Sequence, residues 1–213
     1  IRMRIPVARQ GAPIIALGLG LVVLFGWLGS WIGLTLSGLF AVFAISFFRD
    51  PERVHPSGKG AILAPADGRV LLIEEQGNGP VGAVRSLKIS IFMSVFNCHV
   101  NRIPLGGVVE ALDSRPGKFF AAHQDRASGQ NEQNILHLKT DQNDRFTVVQ
   151  IAGLVARRIV CWVRPGDRVN AGDRFGLIQF GSRVDLYLPL ESRIIINRGD
   201  RTKAGMTVLG YLP

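Results

Sequence analysis

Between Arg9 and Arg49 the chain carries no charge: from Gly11 to Phe48, 38 consecutive residues are apolar, small or neutral. This is the only stretch with convincing helical periodicity. It is too long for one membrane span and suits two of about 18 residues each. Gly29-Ser30 stands at its middle as a natural turn. An apolar helical hairpin over residues 1–48 is therefore expected. A cleaved secretory signal would have a far shorter apolar core and a small-residue cleavage site. A single tilted or interfacial helix is the other reading, favoured by the many glycines and few polar anchors. Arg2, Arg4 and Arg9 precede the run, and Arg49 and Arg53 follow it. Basic residues on both flanks place both ends, and the globular part, on the cytoplasmic side.

After Phe48 the pattern changes. Arg49-Asp50-Pro51-Glu52-Arg53-Val54-His55-Pro56-Ser57-Gly58 is polar with two prolines, and residues 49–60 read as a linker. From 61 to 213 the chain reads as short β-strands between Gly, Asp and Pro turns. Strands are expected at Ile62-Leu63, Val70-Ile73, Ser86-Ile91, Val108-Leu112, Asn134-Lys139, Phe146-Ile151, Arg158-Val163, Arg174-Ile178, Arg183-Leu188 and Thr207-Leu212. One short helix is expected near Ile151-Ala156. The fold class is mainly β (α+β), a sandwich-like or barrel-like domain behind an apolar helical hairpin. Two turns look alike, Ala66-Asp67-Gly68-Arg69-Val70 and Pro165-Gly166-Asp167-Arg168-Val169, and resemble those of lipoyl/biotinyl-type β domains. Such domains carry a modified lysine at a hairpin tip beside methionine or small residues. No such lysine stands here, which argues against a cofactor-carrier arm.

Charge refines the picture. All sixteen acidic residues of the 213-residue chain lie in residues 49–213, with 22 of the 25 basic ones, a net +6 for that part. Beside an apolar anchor, this balance fits attraction to an anionic membrane surface better than nucleic-acid binding. No aromatic-basic stripe or nucleic-acid motif is visible. Cys98 and Cys161 stand in apolar surroundings without CxxC or Cys/His spacing, so they read as buried reduced thiols, and no metal site is expected.

Three segments each offer one reactive group: Pro65-Ala66-Asp67-Gly68 a carboxylate, Asn97-Cys98-His99-Val100-Asn101-Arg102 an imidazole, and Phe180-Gly181-Ser182-Arg183 a hydroxyl. Serine is a poor nucleophile until a base takes its proton, and the base works best when a third group orients it. Gly181 has no side chain, so the Ser182 hydroxyl can approach the preceding carbonyl closely. Each residue also has an ordinary reading: Asp67 a turn former, His99 a core histidine, Gly181-Ser182 a turn between strands.

The chain resembles the short bacterial form of the phosphatidylserine decarboxylase family. The resemblance runs from the apolar N-terminus through Arg49-Asp50-Pro51, Phe119-Phe120-Ala121-Ala122-His123, Asn131-Glu132-Gln133-Asn134 and Gln150-Ile151-Ala152-Gly153-Leu154-Val155-Ala156-Arg157-Arg158-Ile159 to Phe180-Gly181-Ser182-Arg183-Val184-Asp185. It implies a chain that cuts itself between 181 and 182 and converts Ser182 into an N-terminal pyruvoyl group, with no external cofactor. The products would be a β chain (1–181) and an α chain (182–213), associated as a heterodimer, with higher homo-oligomers open. The pyruvoyl carbonyl would form a Schiff base with the substrate's serine amine, and His99 would return a proton after decarboxylation. Longer bacterial members have a second histidine three residues after the first, assigned to maturation. Arg102 stands there instead. Arginine stays protonated and is no base. Its two readings are a contact to the substrate's phosphate or carboxylate and a structural ion pair. His123 lies in a polar stretch that reads either as a lid over the headgroup or as an exposed loop. His55 reads as linker, and His137 as a solvent-facing strand residue. Three further functions stay open: a membrane-anchored scaffold without chemistry, a member that has lost activity, and a decarboxylase acting on an archaeal-type ether-lipid serine.

Overall fold

The computed structural model describes residues 6–56, 58, 60–77, 85–118, 120, 130–154, 158–179 and 181–213. The chain divides into two compact units, one up to Glu52 and one from Arg53 onward.

The first unit is a helical hairpin. A 3-10 turn, Arg9–Gly11, leads into α1, Ala12–Trp27, with proline in its first turn, where no amide donor is needed. The chain reverses at Gly29, whose φ of +66° favours a residue without Cβ. Ser30 then caps α2, Trp31–Phe47, its Oγ accepting from Gly33 N–H at 3.3 Å. The helices approach closely where Gly18 meets Ala41: a Cβ at Gly18 would lie 3.1 Å from the Ala41 Cα. At the open end, Ala8 N–H donates to the Phe48 carbonyl and Asp50 N–H to the Pro6 carbonyl, closing the hairpin's base. The outer faces stay apolar: Leu17, Val23, Trp27, Trp31, Ile32 and Leu36 are each more than half exposed. The 19 residues Arg9–Trp27 are long and apolar enough to cross a membrane, while Trp31–Phe47 is a shorter apolar helix.

The second unit is mainly β. Its strands are β1 (Ala61–Leu63), β2 (Gly68–Gln76), β3 (Ser86–Met93), β4 (Val100–Arg102), β5 (Gly107–Arg115), β6 (Gln133–Lys139), β7 (Arg145–Ala152), β8 (Ile159–Cys161), β9 (Arg168–Val169), β10 (Arg174–Ile178), β11 (Ser182–Leu188), β12 (Arg193–Ile194), β13 (Arg201–Thr202) and β14 (Val208–Tyr211). An antiparallel sheet of eight curls in the order β13-β2-β3-β11-β7-β6-β5-β9. Two three-stranded sheets, β4-β10-β8 and β1-β14-β12, complete the unit. Alternation sets the core face: Ile89 and Ile91 of β3, Val184 and Leu186 of β11, and Phe146 and Val148 of β7 point into one cluster. Ile62, Ile103, Phe175, Ile178 and Leu209 close it from the smaller sheets.

The ten expected strands all form. Four short ones, β4, β9, β12 and β13, were not foreseen. The expected helix near Ile151-Ala156 needs correction: Ile151 and Ala152 finish β7, paired with Arg183 and Ser182, in a strand buried on both faces. Residues 155–157 lie outside the described residues. The look-alike turns differ in structure: Asp67 precedes Gly68, the first residue of β2, whereas the Asp167 turn uses a device found twice more among the described residues. In Arg164-Pro165-Gly166-Asp167, Asn170-Ala171-Gly172-Asp173 and Asn197-Arg198-Gly199-Asp200, a glycine with φ of +85° to +95° precedes an aspartate. That carboxylate accepts the N–H three residues back at 2.7–2.8 Å.

Leu186 is fully buried between Ile89 and Val148. Leu186→Ala is expected to destabilise the domain by about 2–5 kcal/mol, measured by urea unfolding.

Candidate active site

Ser182 is the first residue of β11 and is completely buried. It pairs with Met93 of β3 on one side and Ala152 of β7 on the other. The preceding Gly181 has φ +66°, the left-handed region, and a Cβ there would meet nothing within 4 Å. Glycine is thus required by the turn of the backbone and not by crowding. Alternation points Ser182 toward the core, and its Oγ donates to the Met93 sulfur at 3.4 Å. The next residue faces the other way. Arg183 Nε donates to Asp185 Oδ1 at 2.6 Å and its Nη2 to Ser90 Oγ at 2.6 Å, with Lys88 Nζ 3.6 Å from Asp185 Oδ2. This buried cluster fixes the strand that begins with Ser182. The Tyr187 hydroxyl nearby is pushed far above its usual range by burial and then by the Asp185 charge.

Backbone hydrogen bonds bring the other two segments to the same end of the domain. Ile178 N–H donates to the His99 carbonyl at 3.4 Å, and Arg102 N–H to the Pro65 carbonyl at 2.9 Å. Segment 99–102 therefore lies between the turn that carries Asp67 and the run that enters Ser182. His99 is fully buried, and its Nδ1 lies 3.0 Å from the Asn97 carbonyl. A carbonyl only accepts, so Nδ1 carries the proton, and in the neutral ring Nε2 is the basic nitrogen.

Asp67 has a partner that the sequence did not signal. Arg53 grips its carboxylate with both guanidinium nitrogens, Nη2 reaching Oδ2 at 2.9 Å, and Ala204 N–H donates to Oδ1 at 2.7 Å. Arg53 Nη1 also donates to the Ala204 carbonyl at 2.7 Å. His55, read as linker, instead donates from Nδ1 to the Gly205 carbonyl at 2.8 Å. Its ring packs where a Cβ on Gly172 would sit. Arg102 is buried and donates to the Gly172 carbonyl at 3.0 Å. His137, expected to face solvent, is half-buried and lies 3.0 Å from Thr147 Oγ1. His123 lies outside the described residues.

Three further side chains belong to this region: Asn101, Gln150 and Asn134, all buried. Gln150 Nε2 donates to Asn101 Oδ1 at 2.8 Å, and Asn134 Nδ2 to Gln150 Oε1 at 3.0 Å. Asn134 also bonds the Cys161 thiol, which burial pushes above its ordinary range. Both cysteines are free thiols; Cys98 is buried as expected, but Cys161 is only half-buried. Asn131 ties Phe120 to the strand beside Ser182. It accepts from Phe120 N–H and donates to the carbonyls of Phe120 and Ala152, all at 2.7–2.8 Å. Asn131, Asn134 and Gln150 stand in segments the sequence marked, but only strand register shows what they touch.

The architecture is a mainly β domain, preceded in the chain by an apolar hairpin, in which the segments of Asp67, His99 and Ser182 are linked by backbone hydrogen bonds. The family model for phosphatidylserine decarboxylase matches residues 40–210. Among curated relatives, the phosphatidylserine decarboxylase proenzyme of Desulfotalea psychrophila is 42% identical, covering 100% of this chain and 99% of its own length. That of Geobacter sp. (strain M21) is 48% identical over 98% of this chain and 97% of its own, and that of Syntrophus aciditrophicus 45% over 96% of each. The chain belongs to the phosphatidylserine decarboxylase family, a family of carboxy-lyases.

The Arg53 and Asp67 side chains are only 7% and 12% exposed. Arg53→Met would leave a buried carboxylate without its cation and is expected to cost about 3–5 kcal/mol. Urea unfolding measures this, and an unchanged midpoint would contradict it.

Proposed function

We propose that this chain is a precursor that cuts itself at Gly181-Ser182 and then decarboxylates phosphatidylserine to phosphatidylethanolamine and CO2. The observation that carries the reading is Ser182 itself. It is a fully buried hydroxyl at the start of a central strand, directly after a left-handed glycine, in a chain whose curated relatives are phosphatidylserine decarboxylase proenzymes.

The maturation chemistry balances with water alone. Ser182 Oγ adds to the Gly181 carbonyl carbon as its proton passes to a base. The C–N bond then breaks, the nitrogen takes up a proton, and an ester joins Gly181 to the serine side chain. Loss of the Ser182 Cα proton expels the Gly181 carboxylate and leaves a dehydroalanine. Water adds and ammonia leaves, giving a pyruvoyl end on residue 182. His99, with Nε2 as its basic nitrogen, is the base assigned to the first proton transfer. Asp67, locked by Arg53 and Ala204, is assigned to holding the turn against segment 99–102 and supplying negative charge beside it. In the mature enzyme, the pyruvoyl ketone would supply an electron sink for the headgroup amine as its carboxylate leaves. His99 would then deliver the proton that replaces CO2. Arg102, which donates from Nη1 to the Gly172 carbonyl, is assigned to the substrate's phosphate or carboxylate on sequence grounds. His123 is assigned to the headgroup on sequence grounds.

The substrate is a lipid, so the site must work at a bilayer. The apolar exterior of α1 and α2 and the net positive charge support an enzyme held at the cell membrane with its β domain on the cytoplasmic side. The two products of cleavage would stay together as a heterodimer.

Intact-mass measurement of the purified chain is expected to find a fragment that begins at residue 182 with a carbonyl-reactive end. Ser182→Ala should give one uncut chain that releases no CO2 from phosphatidylserine vesicles. Normal cutting in that variant would sink the assignment. Parallel assays with ester-linked and ether-linked serine lipids decide which lipid is used.

A further inference from the structure

The buried amides form a single file that ends at Ser182. Asn134 on β6 donates to Gln150 on β7, and Gln150 donates to Asn101 on β4. Asn101 Nδ2 then points at the Met93 sulfur at 3.6 Å, the same sulfur that accepts the Ser182 hydroxyl at 3.4 Å. All five residues are at most 7% exposed, and Gln150, Asn101, Met93 and Ser182 are completely buried. The file crosses between two sheets, and Gly176 makes the crossing possible. Gly176 pairs with Asn101, and a Cβ there would lie 2.8 Å from Gln150 Nε2.

The amides of the file are coupled in direction, each orientation setting the next. Each amide has one accepting oxygen and one donating NH2. Gln150 spends its NH2 on the Asn101 oxygen, so Asn101 must turn its own NH2 toward Met93 and Ser182. A thioether is a weak acceptor. A good donor and the nucleophile's hydroxyl thus rest on a partner that either can leave at little cost once a stronger acceptor develops.

We propose that this file is the positioning device of self-cleavage, and that it presents the Asn101 Nδ2–H to the Gly181 carbonyl oxygen as that oxygen becomes negative. The inference rests on the self-cleavage reading given above. In the step concerned, Ser182 Oγ bonds to the Gly181 carbon, its proton goes to His99, and the C=O electron pair moves onto oxygen. Collapse restores the C=O bond and breaks C–N, the nitrogen taking the proton. Asn101 donates a hydrogen bond throughout and gives up no proton. Gln150 and Asn134 touch no reacting atom and act through Asn101.

Three volume-conserving variants of the full chain test this. Asn101→Asp removes the donor. Gln150→Glu sets an oxygen against the Asn101 oxygen, so Asn101 must flip and offer Ser182 an acceptor. Asn134→Asp forces the same flip from two links away. Appearance of the fragment starting at 182 is followed by intact mass. Folding is checked by thermal unfolding of each substitution placed on Ser182→Ala. Losing one such donor is expected to slow cleavage by about 10²-fold. In Asn101→Asp, the ratio to the wild-type rate should recover as pH falls, because the new carboxyl becomes a donor when protonated. A purely packing role predicts no such recovery. A wild-type rate in any variant that still folds would overturn the proposal, as would a slowed Asn101→Asp without acid recovery. If the unsubstituted chain itself stays whole, like Ser182→Ala, the self-cleavage reading falls and takes this inference with it. If only the amide variants are unaffected, that reading stands alone.

Discussion

Everything at the candidate site hangs on the pairing of β11 between β3 and β7. Seven residues of β11 are in register with β3, and six of these also pair with β7. This central place fixes which way each side chain points, since a one-residue slip would turn Ser182 away from the core and Arg183 into it. The register is held from both faces. Val184, Leu186 and Leu188 bury apolar surface on one side, while Arg183, Asp185 and Ser90 lock together on the other. Ser182 can therefore be a buried polar residue at the end of an apolar row.

That end of the core is unlike the rest. Along the middle of the sheet, Ile89, Val148 and Leu186 meet one another; at the Ser182 end, their places pass to Met93, Gln150 and Asn134. Burying three amides and a hydroxyl is costly unless each finds a partner, and the file of hydrogen bonds supplies one for each. Asp67 meets the same demand differently, with the Arg53 cation and a backbone amide. The residues just after the hairpin are thus bound into the β domain, Arg53 at Asp67 and His55 at Gly205.

The sequence made the strands legible where Gly, Asp and Pro turns set off a short apolar run. Ten such runs became ten strands, whereas β4, β9, β12 and β13 are two or three residues each and were not set off as runs of their own. The helix expected near Ile151-Ala156 gave way at Ile151-Ala152 because pairing to β11 extends β7 through both residues. At the site, Ser182, Gly181, His99 and Asp67 stood out because their types carry chemistry. Arg53 did not, since a basic residue after an apolar run already had an explanation in membrane topology. Asn101, Gln150 and Asn134 are silent as letters: what they do depends on three strands and a glycine gap meeting in space.

The topology gives a cut after Gly181 an unusual outcome. The piece from 182 onward holds β11 in the middle of the large sheet, β13 at its edge on β2, and β14 between β1 and β12. Such a fragment is woven into its partner rather than resting on it. No rigid-body motion separates the two pieces, because parting them means dismantling both sheets at once. Their association and their folding would be one equilibrium: the two chains would part only by unfolding, and their stability would fall as the protein is diluted.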